Sequence, residues 1–229
     1  IPNSLRKFYK ENNIDFKDSF ESDNYLNTIN ILNSVRDLGS VQSKPYFSIY
    51  YAPKDTKNPN FDSERLFYTQ ENARFIDSVL EVIFNKNIFD TLKARHIILA
   101  DLFVKMTTNI NTSGTMKGFH NGWGGLAGNA KARIMADMKL TRLKLLSNVP
   151  NGEYYNNYAE RLFSKKMTKD KKGYTYLNKK VDIIYADPPY NQHQYSANYH
   201  MLTTAYNNRD YIAGKVTKGS RAGIRKDHN

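Results

Sequence analysis

Val181-Asp182-Ile183-Ile184-Tyr185-Ala186-Asp187-Pro188-Pro189-Tyr190 is the stretch on which the fold turns. Its first six residues are mostly apolar and β-favouring, in the manner of a short buried strand. The two prolines then remove consecutive amide donors and cannot sit in a central ladder, so the strand is expected to stop at Ala186. A carboxylate delivered into a loop at a strand's carboxyl end is an active-site arrangement of open α/β sheets, where ligands gather beyond strand termini. Residue frequencies put Asp-Pro-Pro-Tyr at one chance occurrence in ~1,000 chains of this length. The bland alternative is a stiff turn with no chemistry.

Upstream, Ser164–Lys180 holds seven lysines against the single acid Asp170 and reads as a surface excursion. Leu26, Ile29, Leu32 and Val35 recur three apart and predict a helix over 23–38, with Gly39 placed for a left-handed cap. Tyr46–Tyr51 is aromatic and strand-like, and a polar loop follows over Ala52–Asp62. Thr69 is placed to cap a helix carrying Phe75, Ile76, Val79, Leu80 and Ile83. Asp90 is placed to cap another, with Leu92, Leu99, Leu102, Phe103 and Met106 inward. His96 falls on that stripe and is expected to be a packed core residue without a chemical role. From Asn109 to Asn129 the pattern gives way to glycine, asparagine and the chain's one Trp, the composition of a functional or disordered loop. Lys131–Leu146 returns to helix-like sequence rich in Lys and Arg.

The 229 residues carry 34 Lys+Arg against 22 Asp+Glu, a net charge of +12. A field of that sign attracts nucleic acid or an anionic membrane surface, although a solvated lysine surface has the same composition. An aromatic content of 13% argues for a folded chain. A mean hydropathy of −0.68, with no apolar run near eighteen residues, excludes a membrane-spanning helix. Absent cysteine excludes disulfides, thiolate zinc sites and cysteine nucleophiles, and fits a reducing cytoplasm. His193 and His200 lie seven apart with no third ligand type nearby, so no metal is expected. The chain starts Ile1-Pro2 without an initiator Met and stops in a polar stretch at Asn229, so a fragment cut at both ends is the expectation.

The segment DIIYADPPYNQHQYSANYHML (182–202) resembles the catalytic segment of adenine-specific, amino-methylating DNA methyltransferases, the D12 class of modification methylases. Phe67–Asp77 resembles that family's helix entry, Asn111–Gly125 its Gly/Asn loop, and 214–227 (GKVTKGSRAGIRKD) its basic downstream segment. Together these cover most of the chain from about Leu26 onward. The resemblance implies an α/β fold, a partial Rossmann-like class I methyltransferase sheet with a mainly helical target-recognition lobe. Val181–Ala186 would be its fourth strand and a short strand near Glu153–Asn156 its third. Residues 1–66 would belong to the N-terminal part of the methyltransferase domain, 67–150 to the recognition lobe, and 151–229 to the catalytic part. The implied activity is methyl transfer from S-adenosylmethionine to N6 of a flipped adenine in duplex DNA, as the modification half of a restriction–modification system. The implied partners are duplex DNA and a cognate restriction endonuclease, in the cytoplasm, with no membrane and no metal.

That chemistry needs these residue types. An exocyclic adenine amine is a poor nucleophile because its lone pair is delocalised into the ring. Acceptors aimed at its N–H bonds draw the nitrogen toward tetrahedral geometry and free the lone pair. The Asp187 carboxylate and the Pro188 carbonyl are candidates for that pair, with Pro189 stiffening the turn. Tyr190 offers a stacking face for an extruded base, and Asn191 a base-edge hydrogen bond. By resemblance, Tyr195, Asn198, Tyr199 and His200 extend the base pocket. Lys117, Trp123, Lys131, Arg133, Arg142, Arg221 and Arg225 are candidates for DNA contact. Family members carry an acidic residue just before Ala159, expected at the cofactor's adenine; here it is Tyr158, so Asn157, Tyr158 and Asp187 are the cofactor candidates, with Glu160 a substitute. The family's Phe-x-Gly-x-Gly donor-binding turn is not found, since no glycine precedes Gly39. The main cofactor site is therefore expected upstream of Ile1, and the isolated piece is expected to be inactive. The alternatives are an RNA or cytosine-N4 amino-methyltransferase and a non-catalytic DNA-binding remnant.

Overall fold

Tyr25, Ile29, Leu32 and Val35 form the buried face of α1 (Ser22–Ser34) and of the 3-10 turn Val35–Leu38 that continues it. Leu26, expected on this face, is turned outward at 43% exposure, and Tyr25 takes the inner position. The computed structural model describes residues 22–38, 44–85, 92–143, 152, 183–188 and 198–209. Gly39, Asp90 and the strand expected near Glu153–Asn156 lie outside them.

Tyr46–Tyr51 is helical where its composition suggests a strand: α2 covers Phe47–Tyr50. The cause is the Asp77 side chain, buried on the next helix. Its Oδ2 accepts the amides of Tyr46 (3.1 Å) and Ser48 (2.9 Å) and the Ser48 hydroxyl (2.8 Å), and its Oδ1 accepts the amide of Phe47 (3.0 Å). These are the orphan donors of a helix N-terminus, satisfied from another element rather than by a local cap. Tertiary contact overrides aromatic β-propensity here.

The longer helix α3 (Gln70–Ile83) starts where the sequence places it. Thr69 is extended (φ −63°, ψ 155°) and its hydroxyl accepts the Asn72 amide at 3.1 Å, a side-chain N-cap. Phe75, Ile76, Val79, Leu80 and Ile83 are all buried, as their spacing predicts. In α4 (Leu92–Thr108), Leu99, Leu102 and Met106 enter the same core. His96 does not: it is exposed and stacks on Tyr206 at 5.8 Å, so the expected core histidine is a surface one.

Helix α5 is only Lys131–Met135, far shorter than the helix-like run to Leu146 suggests. At Ala136 the chain turns extended (φ −64°, ψ 143°), and side chains from three helices hold it there. Asn72 donates to Ala136 O (2.9 Å) and accepts the Met138 amide (2.8 Å). Asn33 pairs with both the carbonyl and the amide of Leu140 (2.9 and 2.8 Å), as a neighbouring strand would. Asp101 accepts the Thr141 amide (2.6 Å). An extended segment lacking a strand partner thus satisfies its backbone through amide and carboxylate side chains.

The last described helix, α6 (His200–Tyr206), buries Met201 and Ala205 against the core and packs on α4. It ends in two left-handed residues, Asn208 (φ 53°) and Arg209 (φ 61°). That turn brings the Arg209 guanidinium inward, onto the carbonyls of Lys44 (2.8 Å) and Asp77 (3.0 Å) and the Glu81 carboxylate (3.0 Å). One hydrophobic cluster runs from Tyr25 to Ala205, and Leu66 and Phe67, either side of the expected boundary at 66, are both fully buried in it.

The chain divides into two compact units, Ile1–Leu143 with His193–Asn229, and Lys144–Gln192. Apart from an isolated bridge at Gly118, the described residues of either unit contain no strand. The strand expected over Val181–Ala186 is not formed at the described positions 183–186, where Ile183 and Tyr185 are each 87% exposed and Ile184 63%. An apolar run becomes a strand only when a neighbour takes its backbone groups and a layer covers its side chains. Neither is present among the described residues, so the sheet implied by the resemblance is not seen there.

Candidate functional site

In the second unit, Asp187 and Pro188 sit on an irregular, exposed segment. Asp187 is in none of the ion pairs or side-chain hydrogen bonds seen among the described residues. Both residues are exposed. Pro189, Tyr190, Asn191, Tyr195, Asn157, Tyr158, Arg221 and Arg225 lie outside the described residues.

In the first unit, the chain that returns from the tetrapeptide is pinned at Asn198, whose carbonyl accepts the Met116 amide at 2.7 Å. Asn198 and Tyr199 are half-buried, and the Asn198 Oδ1 is enclosed with no hydrogen-bond partner among the described residues. His200 is fully buried, its ring 5.8 Å from that of Tyr51.

The Met116 contact belongs to the glycine-rich loop, which is ordered by one residue the sequence reading passed over. Asn111 is fully buried and donates to the carbonyls of Leu66 (2.9 Å) and Gly122 (3.1 Å), while its Oδ1 accepts the Gly124 amide (3.1 Å). Its own amide and carbonyl engage Phe67 O (2.8 Å) and the His120 amide (3.0 Å). Glycine is required at 124, where φ is +86° and a Cβ would stand 2.7 Å from the Lys131 amide nitrogen. Trp123 is half-buried against the core and donates its indole N–H to Thr56 O at 3.2 Å. Lys131, Arg133, Lys139 and Arg142 are exposed along α5 and the extended segment, and Lys117 is half-exposed. The signal for Asn111 was its place in the loop's first polar cluster; nothing in the sequence marked Arg209, whose role depends on a left-handed turn.

The second unit carries the exposed Asp187-Pro188 segment, and the first a glycine-built loop and a row of exposed cations. A family model described as D12 class N6 adenine-specific DNA methyltransferase matches residues 16–217, and the chain belongs to that family. It is similar to the type II methyltransferase M.FokI of Planomicrobium okeanokoites, 30% identical over 150 residues that cover 64% of this chain and 20% of the relative. It is also similar to modification methylase StsI of Streptococcus sanguinis, 26% identical over 176 residues, 76% of this chain and 22% of the relative. The type II methyltransferase M.CviAII of Paramecium bursaria Chlorella virus 1 is 26% identical over 181 residues, 79% of this chain and 46% of the relative. The chain thus spans about a fifth of the first two relatives' length. No solved structure matches it.

Proposed function

We propose that this chain carries the amine-activating and DNA-contacting part of a methyltransferase that modifies N6 of adenine in duplex DNA, within a restriction–modification system. The observation that carries this reading is the exposure of Asp187 and Pro188 in a chain of this family. Their oxygens accept the two N6 hydrogens and hold the nitrogen lone pair in line for transfer. With a sulfonium methyl donor bound, the N6–carbon bond would form as the donor's sulfur–carbon bond breaks, and the displaced N6 proton would leave to solvent. Two oxygen acceptors suit an amine, so the acceptor pair at 187–188 is assigned to the base. S-adenosylmethionine would supply the electrophilic methyl, and its contacts are assigned to Asn157 and Tyr158. No strand–glycine turn fit for it occurs among the described residues.

Tyr190 and Asn191 receive the extruded base. By the family resemblance Asn198 is assigned a polar contact to the base, and its enclosed Oδ1, without a hydrogen-bond partner among the described residues, supports that role. Lys117, Lys131, Arg133, Arg142, Arg221 and Arg225 hold phosphates. The test is methyl incorporation into duplex DNA by the intact protein and its Asp187→Ala variant, with DNA affinity measured in parallel. Lost methylation with retained binding is the expected outcome.

A further inference from the structure

Leu126 is 102% exposed, more than any other large apolar side chain among the described residues. Single apolar residues are common at protein surfaces, but this one is set apart by how the chain holds it. It stands at the corner of a closed turn: the Gly128 amide donates to the Gly125 carbonyl at 3.1 Å, which makes Leu126 and Ala127 the two central residues. Gly125 (φ +76°) and Gly128 (φ +65°) flank them in left-handed backbone. The turn is braced from both sides. Asn111 accepts the Gly124 amide at 3.1 Å, the Gly124 backbone lies against Lys131, and the Lys131 amide donates to the Gly128 carbonyl at 2.9 Å. Leu126 therefore projects from a backbone fixed in advance, which lowers the entropy lost when its side chain enters a partner.

The surroundings select that partner. Ala127, Asn129 and Ala132 are exposed beside Lys131 and Arg133, and no acid occurs between Asp101 and Asp137. Small side chains let another surface come close, and cations without nearby acids favour one that is anionic. A second copy of this chain brings the same cations and a like net charge of +12. A duplex offers phosphates to the cations and, between its two strands of phosphate, stacked bases to the leucine. Apolar side chains inserted between base steps part the stack and bend the DNA.

We propose that Leu126 is an apolar wedge, inserted by the glycine-built loop between stacked base pairs while Lys131 and Arg133 hold phosphates beside it. The inference rests on the DNA substrate proposed above and deepens it, giving the loop a part in deforming the duplex.

The test uses the intact protein on a closed circular plasmid relaxed by topoisomerase in its presence, without methyl donor. Unwinding is read as the change in linking number per bound protein, and affinity by anisotropy on a fluorescein-labelled linear duplex. Leu126→Ala is expected to lose about half of the unwinding or more. Its affinity is expected to stay within about threefold, because the stacking recovered offsets the apolar burial forgone. Leu126→Phe, which keeps an apolar wedge, is expected to keep the unwinding. Lys131→Gln is expected to lower the slope of log affinity against log salt by about 0.9 and to keep the unwinding per bound protein, which separates the wedge from the charges beside it. Unchanged unwinding in Leu126→Ala, or duplex binding by the unmodified protein with no unwinding, overturns the wedge and leaves the DNA reading standing. Absent duplex binding by the unmodified protein refutes both. Self-association that sedimentation detects in the unmodified protein and Leu126→Ala abolishes also overturns the wedge, since the residue then joins copies of the chain.

Discussion

Replacing Asp77 by alanine removes four hydrogen bonds at once, from the amides of Tyr46, Phe47 and Ser48 and from the Ser48 hydroxyl. All four donors are buried around α2, and water has no ready access to replace the carboxylate. A net value of about 1 kcal/mol per bond, with the higher cost of stranding buried donors set against local relaxation, gives a loss of about 4 kcal/mol. That is a large share of the 5–15 kcal/mol typical of a domain. With a urea m-value of about 2 kcal/mol/M, the unfolding midpoint falls by about 2 M. Burial raises the Asp77 carboxyl above the usual carboxylate range, against the pull of the Ser48 and Phe47 amides. The folded state therefore binds this proton more tightly than the unfolded chain does. Stability from this group is full below about pH 4 and declines as pH rises through the folded pKa. That decline should vanish in Asp77→Ala. A midpoint shift under 0.5 M, or an identical acid limb in the two proteins, would refute the capping role.

Thr69→Ala removes the side-chain cap of α3 and should cost about 1 kcal/mol by urea unfolding, with the helix otherwise intact. Asn33→Leu strips the paired hydrogen bonds from Leu140 and should cost about 2 kcal/mol, with faster hydrogen exchange at the Leu140 amide; unchanged exchange there would show that the extended segment does not depend on Asn33.

The helices that depend on their own sequence were legible in it. The spacing of Ile29, Leu32 and Val35, the Thr69 cap and the stripe from Phe75 to Ile83 all match the structure, because local periodicity and a local cap decide those elements. Two of the misreadings share one cause. Residues 46–51 turn helical because a carboxylate thirty positions away receives their amides. The chain after Met135 turns extended because Asn33, Asn72 and Asp101 hold it. His96 lies on an apolar stripe by spacing but outside the core, since α4 buries only the part of its surface that its neighbours cover. Side-chain to backbone pairing at long range leaves no period to read.

The site divides the same way. Asp-Pro-Pro-Tyr stands out because two adjacent prolines after an apolar run are rare, and the family match covers the segment that contains it. The hub role of Asn111 and the inward turn of Arg209 arise only when Leu66, Gly122 and Gly124, or Asp77 and Glu81, are brought beside them. Cations gave a weaker signal, since a lysine on a solvated helix and one on a phosphate have the same sequence.

The acceptor role of Asp187 can be measured most directly as transfer of a labelled methyl group from S-adenosylmethionine to a duplex, by the intact protein and by Asp187→Asn, at saturating DNA. The account predicts a turnover lower by about 10²–10³-fold, with duplex affinity unchanged and the methyl of the unmodified protein recovered on adenine N6. Turnover within a fewfold of the unmodified protein, or label on another atom, would contradict it.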